Sequence, residues 1–541
     1  MLRDMAISST SPQRSPRRRY LLWGSLAVIV VLVLALAAAI LEWSGATLKG
    51  DSTALARLDT QPLAGSIESA RAFAPDGKRI PLAVHNGRLT PESKLTPGEQ
   101  VSVQVVVKRP GWLSWLGKDR RETLSVQAPV AKVSDRWVTV PQGAALKVAF
   151  DHPVSAVAYG GSARRRLAVP TREINLGARA GAGTVSIAAA ERPWEKLGKP
   201  VLVSWFPRAD SPVGLSDPAP GAQITPSTQL RLTFSEPIHD ALGSSLPKLT
   251  PAVPGHWTHP DSHTLAFKPS GFGAPFGTTL HVELPKAATI LDRSGNAGRK
   301  VRDISWKVPG GSTLRLQQLL AEAGYLPVSW HPAGAPVAHT PAAEVAAATD
   351  PPQGSFSWRY SHTPSELTKQ WSAGQPNQIT RGALMMFEDT HKLTVDGLAG
   401  PKVWHALLED AIAGKRRTAG YSYVYVHRNV PQLLTLWHNG HTVLTSPGNT
   451  GVPSAPTKLG TFPVFEHIPE GTMSGTNPDG SHYNDPGIKW ISYFNGGDAL
   501  HAFNRASFGT PQSLGCVELP LAAAKKVWPY TPIGTLVTIE N

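Results

Sequence analysis

Cysteine is almost missing from this 541-residue chain; Cys516 is the only one. No internal disulfide can form, so stability must come from buried cores, and no second thiolate is available to complete a familiar zinc site. Histidines recur in the last stretch, among them His438, His441, His467, His482 and His501, but His438-Asn439-Gly440-His441 has the form of a hairpin turn and no metal centre is expected. A glycine-rich phosphate loop and a paired-carboxylate signature are also lacking, so the sequence calls for no nucleotide or other cofactor. The chain is basic, with a formal net charge of +14, yet the charge is scattered and no nucleic-acid motif accompanies it.

One long apolar run is present. Leu21 to Leu41 contains no charged residue, and at about 1.5 Å per residue such a helix crosses a hydrocarbon core of roughly 30 Å. Arg14, Arg17, Arg18 and Arg19 precede it, which predicts a cytoplasmic tail over 1–19, a transmembrane helix over 20–43 and export of everything beyond. A cleaved signal peptide is the competing expectation, since Ala35-Leu36-Ala37 and Ala37-Ala38-Ala39 offer small-residue sites. A lipoprotein is excluded because no cysteine lies near the segment. With Arg3, Asp4, Glu42 and the four arginines set aside, 48 basic residues face 37 acidic ones, a balance of +11 that suits an anionic partner such as a cell wall.

The exported part is expected to be mainly β and multidomain. Short alternating runs such as Val101 to Val107 and Leu230 to Phe234, punctuated by turns, predict tandem antiparallel β-sandwiches over 53–128, 129–208 and 212–309. The third, with Asp217-Pro218-Ala219-Pro220-Gly221-Ala222 and Leu232-Thr233-Phe234-Ser235-Glu236-Pro237, resembles bacterial Ig-like domains, and the resemblance implies spacers. Carbohydrate binding through Trp112 and Trp115 is the alternative to ordinary loop anchoring. From 312 to 413 the pattern turns helical, at Leu314 to Ala323 and Thr380 to Thr390. Leu393-Thr394-Val395-Asp396-Gly397-Leu398-Ala399-Gly400, with Trp404 and Leu407, is similar to the peptidoglycan-binding repeat. A Pro/Ala/Ser-rich insertion over 333–357 is expected to be a flexible excursion.

The last stretch carries the chemistry. His501 lies upstream of Ser513-Leu514-Gly515-Cys516. A thiol that attacks an acyl carbon needs an imidazole to take its proton and free main-chain N–H groups for the oxyanion, and a glycine beside the nucleophile leaves that backbone unshielded. The pattern resembles the catalytic domain of YkuD-type L,D-transpeptidases over 420–541. Val424 to Val426 and Leu433 to Leu436 look like its opening strands, Asn449-Thr450-Gly451 and Thr457 to Phe462 like its central motif, and Gly534 to Ile539 like its last strand. Three residues depart from the family pattern. Ala502 follows the histidine, Leu514 replaces a second histidine, and Glu518 stands where Arg or Asn is usual, a charge expected to raise the thiol pKa.

The resemblance implies that Cys516 attacks the third residue of a peptidoglycan stem peptide and His501 takes the thiol proton. Ser513, Leu514, Gly515 and the Ala502 carbonyl would form or orient the oxyanion and imidazole sites. An amine acceptor gives a 3→3 cross-link; water gives an L,D-carboxypeptidase. A non-catalytic wall-binding scaffold is the reading from another class, and the sequence leaves the oligomeric state open.

Overall fold

The computed structural model describes residues 17–116, 119–284, 289–291, 300–301 and 304–541, and it divides into two compact units, residues 1–208 and 209–541. Most of the tail expected over 1–19 lies outside the described residues.

The first unit opens with a helix, Arg17–Trp43. Its Leu26–Trp43 stretch is long and apolar enough to cross a membrane, a test that a signal sequence near the N-terminus also meets. Strand Ala46–Gly50 follows after two residues and joins a four-stranded sheet that faces a second one, built around Gln100–Val107. In that strand Val101, Val103, Val105 and Val107 are fully buried and the residues between them are not, the period-two pattern of a half-buried strand. Beyond residue 137 comes a five-stranded sheet. Its two longest strands, Ala145–Tyr159 and Arg165–Ala178, pair with three register shifts, and bulges of this kind bend the sheet over its core of Leu146, Val148, Phe150, Ile187 and Val203.

The second unit begins with a six-stranded and a three-stranded sheet enclosing Leu232, Phe234, Leu265 and Trp306. Four helices of nine or more residues follow, Thr313–Glu322, Pro341–Thr349, Gln378–Thr390 and Pro401–Ala413. The first three start at Ser312, Thr340 and Asn377, whose side chains accept main-chain N–H groups at the open helix ends. The flexible excursion expected over 333–357 is instead ordered as helix Pro341–Thr349 and strand Gly354–Trp358. Its proline sits in the first helical turn, where no N–H is needed, and Val345 and Ala348 are buried in the core.

The C-terminal domain packs two sheets. One runs in the order His441–Pro447, Leu433–His438, Ser422–His427, Leu536–Glu540, Gly460–Pro463; the other in the order Glu466–Thr476, His482–Asn495, Asp498–Ala502, Val517–Leu519. Strand Ser422–His427 is apolar on both faces for a reason its sequence carries. Val424 and Val426 point between the two sheets, while Tyr423 belongs to the core shared with the helices, alongside Trp404, Phe387, Trp437 and Leu536. Gly382 and Gly534 bring helix and sheet into backbone contact: a Cβ on Gly382 would lie 2.5 Å from the Gly534 carbonyl oxygen, and one on Gly534 would lie 2.3 Å from that of Gly382. The helical region and the first of these two sheets are therefore packed directly together.

Candidate active site

His501 and Cys516 are brought together by two neighbouring parallel strands. In the register Leu500 opposes Val517, His501 opposes Glu518 and Ala502 opposes Leu519. Leu500, Ala502, Val517 and Leu519 all point into the sandwich core. Because side chains alternate along a strand, Ala499, His501, Cys516 and Glu518 share the opposite face. Cys516 packs there beside Ala499, Ile488 and Ile491. One step of the ladder separates it from the level of His501 on that face.

The imidazole is held by its own strand. His501 is 3% exposed, and its Nδ1 lies 2.9 Å from the Ala502 carbonyl oxygen. A carbonyl can only accept, so Nδ1 carries the proton and Nε2 is left with a lone pair. Burial holds this imidazole below its ordinary pKa, against the opposing pull of the Ala502 contact and the Glu518 charge, so the neutral base dominates at neutral pH.

Cys516 sits at the end of a turn closed by Ser513. The Ser513 hydroxyl donates to the Cys516 carbonyl at 2.6 Å and accepts the Gly515 N–H at 3.3 Å. Among the described residues no hydrogen bond commits the N–H groups of Leu514 or Cys516, which leaves them as the donors available to an oxyanion. Gly515 has φ +121°, and a Cβ there would come within 2.2 Å of Asp498 Oδ1, so both backbone and space require glycine. The thiol reaches the Gly497 carbonyl at 3.5 Å. Burial pushes its pKa up to about 12, with the Ala499 N–H opposing and the Asp498 and Glu518 charges adding to the rise.

At neutral pH the site therefore pairs a neutral thiol with a neutral imidazole. Alkylation of Cys516 by iodoacetamide without substrate is expected to rise with pH by about tenfold per unit up to pH 10, since only the thiolate reacts and its fraction grows in that proportion below the pKa. A plateau near neutrality would instead reveal a preformed thiolate–imidazolium pair.

Sequence reasoning missed Arg505. Its Nη2 and Nε lie 2.7 and 2.9 Å from the two carboxylate oxygens of Glu518, and its guanidinium lies over the Phe503 ring at 4.6 Å. The acidic departure at 518 is thus neutralised in place by a guanidinium supplied thirteen residues upstream. Gln432 and Asn449 were missed as positioning residues. Asn449 is fully buried, pairs with Glu518 through main-chain bonds in both directions, and accepts the Gly509 N–H at 2.9 Å through its side chain. Gln432 accepts the Thr450 N–H at 2.7 Å. Beside this face, a cleft of about 800 Å³ is lined by Asp485, Gly487, Ile488, Phe503, Phe508 and Leu521. Among the described residues no cluster of His, Cys, Asp and Glu forms a metal site.

No curated protein matches the chain. Solved structures similar to it include an L,D-transpeptidase from Mycobacterium smegmatis, at 12% identity over 60% of this chain and 97% of that one, with a TM-score of 0.21. The catalytic domain of the E. faecium L,D-transpeptidase is 23% identical over 23% of this chain and 99% of that one, TM-score 0.21. L,D-transpeptidase 3 from Mycobacterium tuberculosis, in complex with a faropenem-derived adduct, is 13% identical over 60% and 97%, also at 0.21. Residues 421–539, the stretch that holds His501 and Cys516, match the YkuD family. That part of the chain is a YkuD domain, the L,D-transpeptidase catalytic domain.

Proposed function

We propose that this chain is a membrane-tethered, extracytoplasmic peptidoglycan L,D-transpeptidase. Cys516 attacks the carbonyl of the third stem-peptide residue while its proton passes to Nε2 of His501. The C–N bond to the terminal D-Ala breaks, and the imidazolium returns the proton to the departing amine. The Leu514 and Cys516 N–H groups hold the tetrahedral oxygen. The amine of a neighbouring stem then displaces the thioester, closing a 3→3 cross-link and freeing the thiol. The observation that carries this reading is the shared face of His501 and Cys516, with Nδ1 tied to a carbonyl and Nε2 free to act as base. No cofactor enters the proposed chemistry.

The helix Arg17–Trp43 is proposed as the anchor, and the β-modules, as Ig-like spacers, carry the catalytic domain toward the wall. Residues 312–413 are proposed as a peptidoglycan-binding-like domain. Its Asp396-Gly397 turn is held by Glu388, whose carboxylate accepts both N–H groups at 3.0 and 2.8 Å, so those residues shape the domain and are not assigned to the ligand.

Incubation with a disaccharide-tetrapeptide tests the assignment through its products. A dimer joined through third residues, with free D-Ala, is the expected result. Tripeptide without dimer would reassign the acceptor to water, and unchanged substrate would remove the enzymatic reading.

A further inference from the structure

The membrane-proximal end of the first unit carries a feature the proposed catalysis does not use. The hairpin between strands Gln100–Val107 and Arg120–Gln127 is tipped by a 3-10 turn, Gly111–Leu116, of sequence Gly-Trp-Leu-Ser-Trp-Leu. Trp112 is 62% exposed there. Exposed aromatic tips of this kind mark an interaction surface when they are grouped with other apolar residues.

The fold places this tip at the end of the N-terminal helix. Trp43 closes that helix and is itself 59% exposed. The chain turns at once: Gly45 N–H bonds back to Glu42, and strand Ala46–Gly50 begins. The Trp43 carbonyl accepts the Leu63 N–H at 3.1 Å, and the Gly45 carbonyl accepts the Gln61 N–H at 3.1 Å. Both stems of the hairpin meet these segments. A Cβ on Gly45 would come within 2.9 Å of Arg120 Cδ, and one on Gly65 within 2.2 Å of the Lys108 carbonyl oxygen. Strands Ala46–Gly50 and Arg120–Gln127 therefore both start beside the helix end and run away from it, so the turn preceding Arg120 projects back toward the side from which the helix arrives.

Chemistry at the stem fits a phospholipid surface. Lys108, Arg109, Arg120 and Arg121 flank the tip. Glu68 faces Lys108 at 3.8 Å and Glu122 faces Arg120 at 2.9 Å. Arg109 has Nε and Nη1 buried, and its main-chain N–H donates to the Asp119 carboxylate at 3.2 Å, whereas Arg121 is exposed and has no ion pair among the described residues. Indole rings partition to the headgroup level, where the ring is apolar and the N–H remains wet, and guanidinium groups pair with phosphate oxygens.

From this arrangement we infer that the Gly111–Leu116 turn is a second membrane contact, seated through Trp112 in the headgroup layer of the leaflet that the helix leaves at Trp43, with the exposed Arg121 on a lipid phosphate. The inference rests on the proposed membrane span. Two attachment points prevent the first module from swivelling about the helix axis.

Because Cys516 is the only native cysteine, the full chain with Cys516→Ala accepts single probes. An environment-sensitive fluorophore is placed in turn at Ser114→Cys in the tip, at Val33→Cys in the helix and at Lys78→Cys in the turn at the far end of the module. Each protein is reconstituted in nanodiscs of phosphatidylethanolamine and phosphatidylglycerol, with or without lipids spin-labelled near the headgroup or deep in the chain. The expected result is quenching at 114 by the headgroup label, quenching at 33 by the deep label and none at 78, with Trp112→Ala abolishing quenching at 114. Quenching at 33 but not at 114 overturns this inference alone, whereas no quenching at 33 removes the span and the inference with it. A probe at 114 that stays in water, together with weaker binding of Trp112→Ala to isolated cell wall, would make the tip a glycan contact and also overturn the inference.

Discussion

Arg505→Ala is expected to weaken the catalytic sandwich by roughly 1.5–3 kcal/mol, the range for a hydrogen bond to a charged group, since Glu518 is buried but the Arg505 side chain is 32% exposed. Glu518 is 4% exposed and opposes His501 across the ladder, so its carboxylate would be left uncompensated at the centre of the site. The unpaired charge would also favour the imidazolium over the neutral base and push the thiol pKa further up, both of which slow acylation. Glu518→Arg would place two guanidinium groups against each other and should be at least as damaging. The double variant Arg505→Ala with Glu518→Gln removes the stranded charge and is expected to recover most of the lost stability. The thermal transition of the catalytic domain and the acylation rate, followed across the single and double variants, check this. A single Arg505→Ala variant as stable and active as the parent would show that Glu518 needs no counter-charge.

How much of this was legible in the sequence differs from residue to residue. A lone cysteine in a Ser-Leu-Gly-Cys turn is conspicuous because the chemistry requires a bare backbone beside the thiol, and the strands around it announce themselves by alternation. The alternation of tyrosine and valine from Tyr423 to Val426 also carried a signal, since a strand apolar on both faces must be covered on both. What covers it, the helices around Phe387 and Trp404, depends on contacts between residues far apart in the chain and could not be inferred from local pattern. The role of Arg505 was hidden for the same reason. Its partner is thirteen positions away, and only the parallel pairing of the two short strands brings them together. In the segment from 333 to 357 proline and alanine have the composition of a flexible linker, yet a proline in the first turn after a threonine cap starts a helix.

Cys516, activated by His501, is expected to become acylated. Intact-protein mass spectrometry after incubation with a tetrapeptide-stem donor tests it most directly. The parent protein is expected to gain the mass of the donor less D-Ala, and Cys516→Ala to gain nothing. His501→Ala should remain folded and acylate more slowly by a factor on the order of 100 or more, the range in which a positioned general base contributes. A parent protein that forms no adduct with tetrapeptide donors or with carbapenems, yet still binds isolated cell wall, would contradict the account and leave a wall-binding scaffold in its place.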